Sequence, residues 1–128
     1  MKDFQNNAYF WQKIDSLCLS GDLINLVKKG EADKEFPNYV MPCDYGYLKF
    51  LDGDSQSLHY FKGSLNNEVN GIILCADILS KRVDAKILLG CSEAEEEAIL
   101  RYLNQDDFRK TVLIKRGSEV PSWASTTD

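Results

Sequence analysis

Apolar side chains recur at helical spacing near the start of the chain. Phe10, Ile14 and Leu17 fall on one side of a helix, and Gly21 follows them as a stop signal. This spacing predicts a helix over Ala8–Leu19. The residues that follow lose the helical period and become short runs of apolar and β-branched residues separated by turn residues.

A second helical pattern follows Ser92. Ser92 stands at the N-cap position and Glu95 comes three residues later, which is the arrangement of a capping box. The acidic residues of the first turn suit the positive end of the helix macrodipole. The pattern predicts a helix that runs to about Asn104 and has an apolar face formed by Ala98, Ile99, Tyr102 and Leu103.

Six short segments between and beyond these helices have the composition of strands. They are rich in aliphatic, aromatic and β-branched residues and are bounded by Gly, Asn, Asp and Ser. The predicted strands are 23–27, 45–51, 57–62, 72–79, 86–91 and 111–116. Because the helices stand at the two ends and do not alternate with the strands, the pattern favours an α+β, mainly β fold. We expect an antiparallel sheet or small barrel, with residues 1–116 as one domain and 117–128 as a polar, mobile tail.

The charge balance narrows the classes of partner. The chain has 128 residues, a net charge of −5 and a pI of about 4.9. An acidic protein is a poor ligand for nucleic acid, whose phosphates require a basic face. The charge is compatible with a basic protein partner or with a small anionic substrate held through metal ions. No apolar run is long enough to cross a membrane and the first residues do not resemble a signal peptide, so we expect a cytoplasmic protein.

The cysteine and histidine content argues against a zinc site. The four cysteines do not form a C-x-x-C pair, and His59 is the only histidine. In a reducing compartment the simplest interpretation is that all four are small apolar packing residues: Cys18, Cys43, Cys75 and Cys91.

One region combines residue types that bind metals and phosphates. The segment Pro-Cys-Asp-Tyr-Gly-Tyr at 42–47 precedes Asp-Gly-Asp at 52–54, and Asp77 and Asp84-Ala85-Lys86 follow later. Clustered carboxylates are the ligands that Mg²⁺ prefers, and tyrosine and lysine donate to phosphate oxygens. Each motif alone is also common in turns and bulged strands.

Taken in this order, the motifs resemble the core of the soluble (family I) inorganic pyrophosphatases. That family has Tyr-Pro-Cys-x-Tyr-Gly-Tyr leading into Asp-Gly-Asp-Pro-x-Asp, and the resemblance covers roughly residues 24–91. It implies a small antiparallel, pyrophosphatase/OB-like β-barrel flanked by an N-terminal and a C-terminal helix. It also implies a Mg²⁺ site at Asp52, Asp54, Asp77 and Asp84, phosphate contacts from Lys29, Tyr45 and Lys86, and catalytic roles for Asp54 and Tyr45.

The sequence departs from the family pattern at several functional positions. The third aspartate of the family falls on Ser57 or, in a shifted register, on His59. Met41 replaces the tyrosine before the proline, and no arginine occurs before Arg82. Loss of one electrostatic group at such a site typically lowers the rate by on the order of 10²–10³.

Two functions therefore follow from the sequence. The first is a non-catalytic binding protein with a pyrophosphatase-like fold that holds a basic protein, such as a toxin neutralised by an immunity protein. Its candidate contact residues are Glu93, Glu95, Glu96, Asp106 and Asp107. Glu93, Glu95, Glu96 and Glu97 are expected to form a solvated helix face. The alternative is a Mg²⁺-dependent inorganic pyrophosphatase or related phosphoanhydride hydrolase.

Overall fold

A computed structural model describes residues 8–32, 40–50, 58–105 and 107–117. The described chain is α+β and mainly β, with the predicted number of helices and strands in the predicted order. In chain order these are α1 (Ala8–Leu19), β1 (Asp22–Val27), β2 (Asp44–Lys49), β3 (His59–Lys62), β4 (Val69–Asp77), β5 (Arg82–Leu89), α2 (Glu93–Leu103) and β6 (Arg109–Lys115). The prediction of both helices and of six strands is confirmed.

All six strands join one mixed sheet in the order β1-β2-β3-β5-β4-β6. Four of the pairings are antiparallel, but β3 pairs with β5 in parallel. The expectation of a wholly antiparallel arrangement is therefore wrong for this pair. Within the described residues β1 and β6 are the sheet edges and the sheet is not closed, so the predicted barrel is not confirmed.

The parallel pair arises because the chain between β3 and β4 does not make a tight hairpin. It passes the end of β5 instead, where Gly63 N–H donates to Leu89 O at 2.7 Å and Gly90 N–H donates to Glu68 O at 2.7 Å. Gly90 has a φ of +57°, and a Cβ there would collide with the backbone of Asn66. Only glycine readily adopts this positive φ and leaves the space that the Asn66 backbone occupies. Gly90 therefore allows the β3–β4 connection to pass close to the end of β5.

The two helices cover opposite faces of the sheet. Trp11 of α1 is fully buried and packs in a cluster with Leu48, Tyr60 and Ile87. These residues alternate along their strands with those that face α2, as the two-residue period of a strand requires. No helix in the described residues is long and apolar enough to cross a membrane.

Helix α2 covers the second face through its predicted apolar stripe. Ile99 and Leu103 are buried against Phe61 and Leu88. The predicted capping box is present: the Ser92 side chain accepts from Glu95 N–H, and the Glu95 carboxylate accepts from Ser92 N–H at 2.8 Å. The local sequence thus specifies where α2 begins, and its apolar stripe specifies which side docks.

Candidate functional site

Residues from three neighbouring strands form a polar cluster on the α2 face of the sheet, beyond the region that the helix covers. Tyr45 lies on β2, His59 on β3, and Asp84 and Lys86 on β5. The register pairs Tyr47 with His59, and His59 with Lys86, so these side chains emerge on one face. We call Tyr45, His59, Asp84 and Lys86 the Lys86 cluster.

Lys86 is the most deeply placed charge of the cluster. Only 9% of its side chain is exposed, and its Nζ lies 3.3 Å from Asp84 Oδ2. The same Nζ lies 5.7 Å from the centre of the Tyr45 ring. A buried ammonium needs such partners because removal from water strongly disfavours its charged form. Asp84 therefore neutralises Lys86 within the protein.

The aromatic part of the cluster packs face to face. The rings of Tyr45 and His59 are 5.4 Å apart with an interplanar angle of 7°. Burial raises the pKa of Tyr45, although the ammonium of Lys86 opposes this shift. Burial also lowers the pKa of His59, and the positive charge of Lys86 lowers it further. The imidazole is therefore held neutral at physiological pH.

Of the three predicted phosphate contacts, Tyr45 and Lys86 come together. Lys29 lies in the exposed turn after β1, where its backbone N–H donates to Asp44 Oδ1 at 2.9 Å. This hydrogen bond ties the turn to the start of β2, but it does not involve the Lys29 ammonium. The structure therefore joins two of the three residues in a direct contact.

The predicted metal ligands within the described chain are each engaged separately. Asp77 Oδ1 accepts from the N–H groups of Leu79 and Ser80 at 2.9 and 3.2 Å, and these bonds close the β4–β5 turn. The pKa of Asp77 is lowered, first by the backbone hydrogen bond from Ser80. Asp84 is paired with Lys86. Asp52 and Asp54 lie outside the described residues.

The described donors alone do not fit a Mg²⁺ site. Magnesium takes several oxygen ligands at near-octahedral positions. Within residues 8–32, 40–50, 58–105 and 107–117, no three acidic, histidine or cysteine side chains are grouped as metal ligands. Asp77 and Asp84, the two predicted ligands that can be placed, direct oxygens toward hydrogen-bond donors of the protein itself.

The acidic residues of α2 divide into outward and inward groups. Glu93 is exposed, and so is Asp107 beyond the helix, whereas Asp106 lies outside the described residues. Glu95 accepts from Ser92 N–H and from Ser64 N–H. These hydrogen bonds lower the pKa of Glu95 although burial opposes the shift.

The expectation of a fully solvated acidic face is wrong at Glu96. This residue is only 6% exposed. Its Oε2 accepts from Asn70 Nδ2 at 2.9 Å, and its Oε1 lies 3.3 Å from Lys115 Nζ. Helical geometry explains the difference, because Glu96 is three residues before the buried Ile99 and shares its side of the helix.

Sequence reasoning did not identify Asn70 as the residue that holds α2 in place. Its side chain donates to Glu96 and to Cys91 O at 3.0 Å, and its Oδ1 accepts from Cys91 N–H at 3.0 Å. A lone Asn next to Gly71 in a turn-like sequence gives no signal of such a role. The register of β4 creates this role by placing Asn70 beside the start of α2.

A cavity of about 630 Å³ lies away from the Lys86 cluster, between α1 and the sheet. Cys18, Leu23, Val69 and Leu89 contribute apolar surface, and Arg116 lies at its polar side. The Arg116 guanidinium donates two hydrogen bonds to the Asp15 carboxylate, of 2.9 and 2.7 Å. The cavity therefore does not coincide with the residues that the sequence selected for phosphate or metal chemistry.

Comparisons of this chain with protein-family models, with curated proteins and with solved structures gave no match. The residues themselves carry the functional argument.

Proposed function

We propose that this protein is a non-catalytic binding protein with a pyrophosphatase-like fold and that its partner is a basic protein. The observation that carries the proposal is the contact between Lys86 and Asp84. A residue that the resemblance assigns to phosphate and one that it assigns to metal lie 3.3 Å apart and neutralise each other. A metal ion and a phosphate would have to break this pair, whose lysine is largely removed from water.

The altered ligand set supports the same conclusion. Ser57 or His59 stands where the family has a third aspartate, so one negative charge is missing in either register. His59 stacks on Tyr45 and its pKa is lowered, so it adds no charge to attract a cation. Pyrophosphate hydrolysis depends on charge neutralisation by several metals and cations. Fewer carboxylates should therefore weaken metal binding before any chemistry begins.

The exposed carboxylates support a basic partner. The net charge is −5, and Glu93 and Glu97 project from α2 into solvent. Asp107 is exposed beyond the other end of the helix. Complementary charge accelerates encounter and selects partners. A toxin neutralised by direct binding would be one partner of this kind.

The first test asks whether the protein binds Mg²⁺. It compares the midpoint of thermal unfolding in chelator with the midpoint in about 5 mM Mg²⁺. A ligand that binds only the folded state raises stability in proportion to the logarithm of its excess over Kd. We expect the midpoint to move by no more than about 2 °C. A rise of about 6 °C or more would mean that a competent metal site persists, and the binding proposal would then give way to the enzyme.

The second test addresses the partner. Basic proteins that co-purify with the native protein are identified by mass spectrometry, and their affinity is measured by titration calorimetry at several salt concentrations. Reversal of charge at Glu93 and Glu97 to Lys should weaken binding about tenfold or more and reduce its salt dependence. Asp22→Lys, which reverses the charge of an exposed residue on the edge strand β1, is the matched control. Absence of any basic partner at micromolar concentration would count against the proposal.

One observation favours a second function, a Mg²⁺-dependent pyrophosphatase or related hydrolase. Tyr45 and Lys86, both assigned to phosphate by the resemblance, are in contact across the sheet. In this alternative Lys86 and Tyr45 would donate to phosphate oxygens, and the aspartates at 52, 54, 77 and 84 would hold the metal, which supplies an activated water. The Mg²⁺ measurement separates the two functions because only the enzyme requires the metal to bind.

A further inference from the structure

Two of the four cysteines meet at the start of α2. Cys43 directly precedes β2, and Cys91 directly precedes the N-cap residue Ser92. Both belong to the buried cluster beneath the helix, with exposures of 1% and 4%. The two thiols interact closely enough that each shifts the pKa of the other. The thiols therefore lie adjacent although they are far apart in sequence.

Gly63 of the β3–β4 connection lies next to both cysteines. Asp44 on β2 pairs with Lys62 on β3, so one step further along the antiparallel pair Cys43 lies beside Gly63. A Cβ on Gly63 would lie 2.6 Å from Cys91 Cα and 2.6 Å from Gly90 O. The Glu95 carboxylate would be closer still, at 2.5 Å, so no side chain fits at position 63 and Gly63 lies directly between the chain at Cys43 and the chain at Cys91.

The two thiols are chemically unequal. Cys91 Sγ lies 3.8 Å from Phe61 O and 3.7 Å from Leu89 O, so it has backbone acceptors for its hydrogen. Interaction with the Cys91 thiol lowers the pKa of Cys43, and the same pairing raises the pKa of Cys91. Cys43 is therefore the thiol that ionises first.

We propose that Cys43 and Cys91 form a reversible intramolecular disulfide and that this pair is a site of oxidation by low-molecular-weight disulfides. The Cys43 thiolate attacks one sulfur of glutathione disulfide, which forms a mixed disulfide and releases one glutathione thiolate. Cys91 then gives its proton to that thiolate and attacks the Cys43 sulfur, which releases the second glutathione. Two protein thiols are oxidised and one glutathione disulfide is reduced to two thiols.

The other two cysteines lack such a neighbour in the described chain. Cys18 lies on α1, and burial raises its pKa to about 11. Cys75 lies on β4, where burial also raises its pKa. Both are less nucleophilic at neutral pH than an ionised thiol, because the thiolate is the attacking species. They serve as internal controls for the pair.

The test uses the Cys18→Ala/Cys75→Ala variant, which retains only the proposed pair. The folded variant is incubated with glutathione disulfide without denaturant, and free thiols and intact mass are measured. We expect both thiols to disappear, the mass to fall by two hydrogen atoms, and dithiothreitol to reverse both changes. Because the thiols are buried, the reaction proceeds through local opening of the fold. The oxidised form should unfold at least about 5 °C higher than the reduced form.

A third substitution, Cys91→Ala, separates attack from closure of the bond. With Cys91 absent, glutathione should remain attached to Cys43, because the second displacement has no nucleophile. The proposal is overturned if the two-cysteine variant keeps both free thiols, if it retains a glutathione adduct, or if the bond forms only in denaturant. Peptide mapping of the oxidised wild-type protein supplies an independent measurement, and a bond between any other two cysteines would also overturn the proposal.

Discussion

The Lys86 cluster and the N-terminus of α2 hold their charges in different ways. At the helix, Glu95 and Glu96 accept hydrogen bonds from backbone and side-chain groups of several segments. In the cluster, Lys86 and Asp84 lie two residues apart on one strand and offset each other directly. In both regions residues that look like free ligands in the sequence are engaged inside the protein. A charged motif therefore indicates a binding site only when its charges remain available.

The largest expected effect tests whether the two regions depend on the same packing. Ile99 is fully buried under α2, so Ile99→Ala should lower the free energy of unfolding by about 2–5 kcal/mol. Loss of this buried side chain should also speed amide hydrogen exchange at Glu95 and Glu96, because their hydrogen bonds require that α2 is packed on the sheet. Leu65→Ala, at a site 63% exposed, is the control and should change stability little. Chemical denaturation and hydrogen exchange measure both effects.

If Ile99→Ala disturbed the Tyr45–His59 stacking as much as the helix, the two regions would not be separable. The chemical shift of the single histidine reports on this directly.

The next effect concerns the Asp84–Lys86 ion pair of the Lys86 cluster. Asp84→Asn leaves the buried Lys86 charge without its counter-ion and should cost about 2 kcal/mol of unfolding free energy, reduced from a fully buried case because Asp84 is partly exposed. Lys86→Met should cost less, about 1 kcal/mol, because water can still reach Asp84. The Asp84→Asn/Lys86→Met double variant should be more stable than Asp84→Asn alone. A double variant with the summed loss of both single variants would contradict the internal ion pair.

A smaller effect is expected at the helix cap. Ser92→Ala removes the acceptor for Glu95 N–H and should lower the free energy of unfolding by about 1 kcal/mol. Glu97→Ala, an exposed change in the same helix, should stay within about 0.5 kcal/mol of the wild type. Chemical denaturation measures both changes. Equal losses of unfolding free energy in Ser92→Ala and Glu97→Ala would contradict the distinction between polar groups of α2 that are hydrogen-bonded within the protein and those that face solvent.

The smallest effect is a change in the titration of His59. Its folded-state pKa lies below the ordinary value of 6.5, so between these two values the unfolded chain binds more protons than the folded one. Stability should therefore fall as pH decreases through this window, and His59→Phe should reduce that dependence. Nuclear magnetic resonance measures the pKa directly, and Lys86→Met should raise it toward 6.5 because a nearby positive charge is removed. A wild-type pKa above 6.5 would contradict the buried, lysine-facing position.

Local signals predicted most of the elements. The 3.6-residue period and the Ser92–Glu95 capping box predicted the helices, because these features act within one or two turns. The strands were predicted less accurately at their ends: β5 begins at Arg82 because exposed residues there still pair with β4. The parallel β3–β5 pair was not predicted, since it depends on the close passage at Gly90 rather than on a turn motif.

The candidate site was predictable only in its residue types. The sequence selected Tyr45 and Lys86 together, and they are in contact. It could not indicate that Asp84 would be used by Lys86 or that Glu96 would be buried. Both outcomes depend on which face of a strand or helix a side chain occupies relative to distant residues such as Asn70.

The most direct measurement of the central claim is phosphate release from pyrophosphate in the presence of Mg²⁺ or Mn²⁺. If the Lys86–Asp84 pair and the altered ligand set leave no working metal site, the protein should release no more phosphate than an enzyme-free control. A turnover above about 1 s⁻¹, near the lower end of ordinary enzymes, that is abolished by Asp54→Asn would contradict the non-catalytic account.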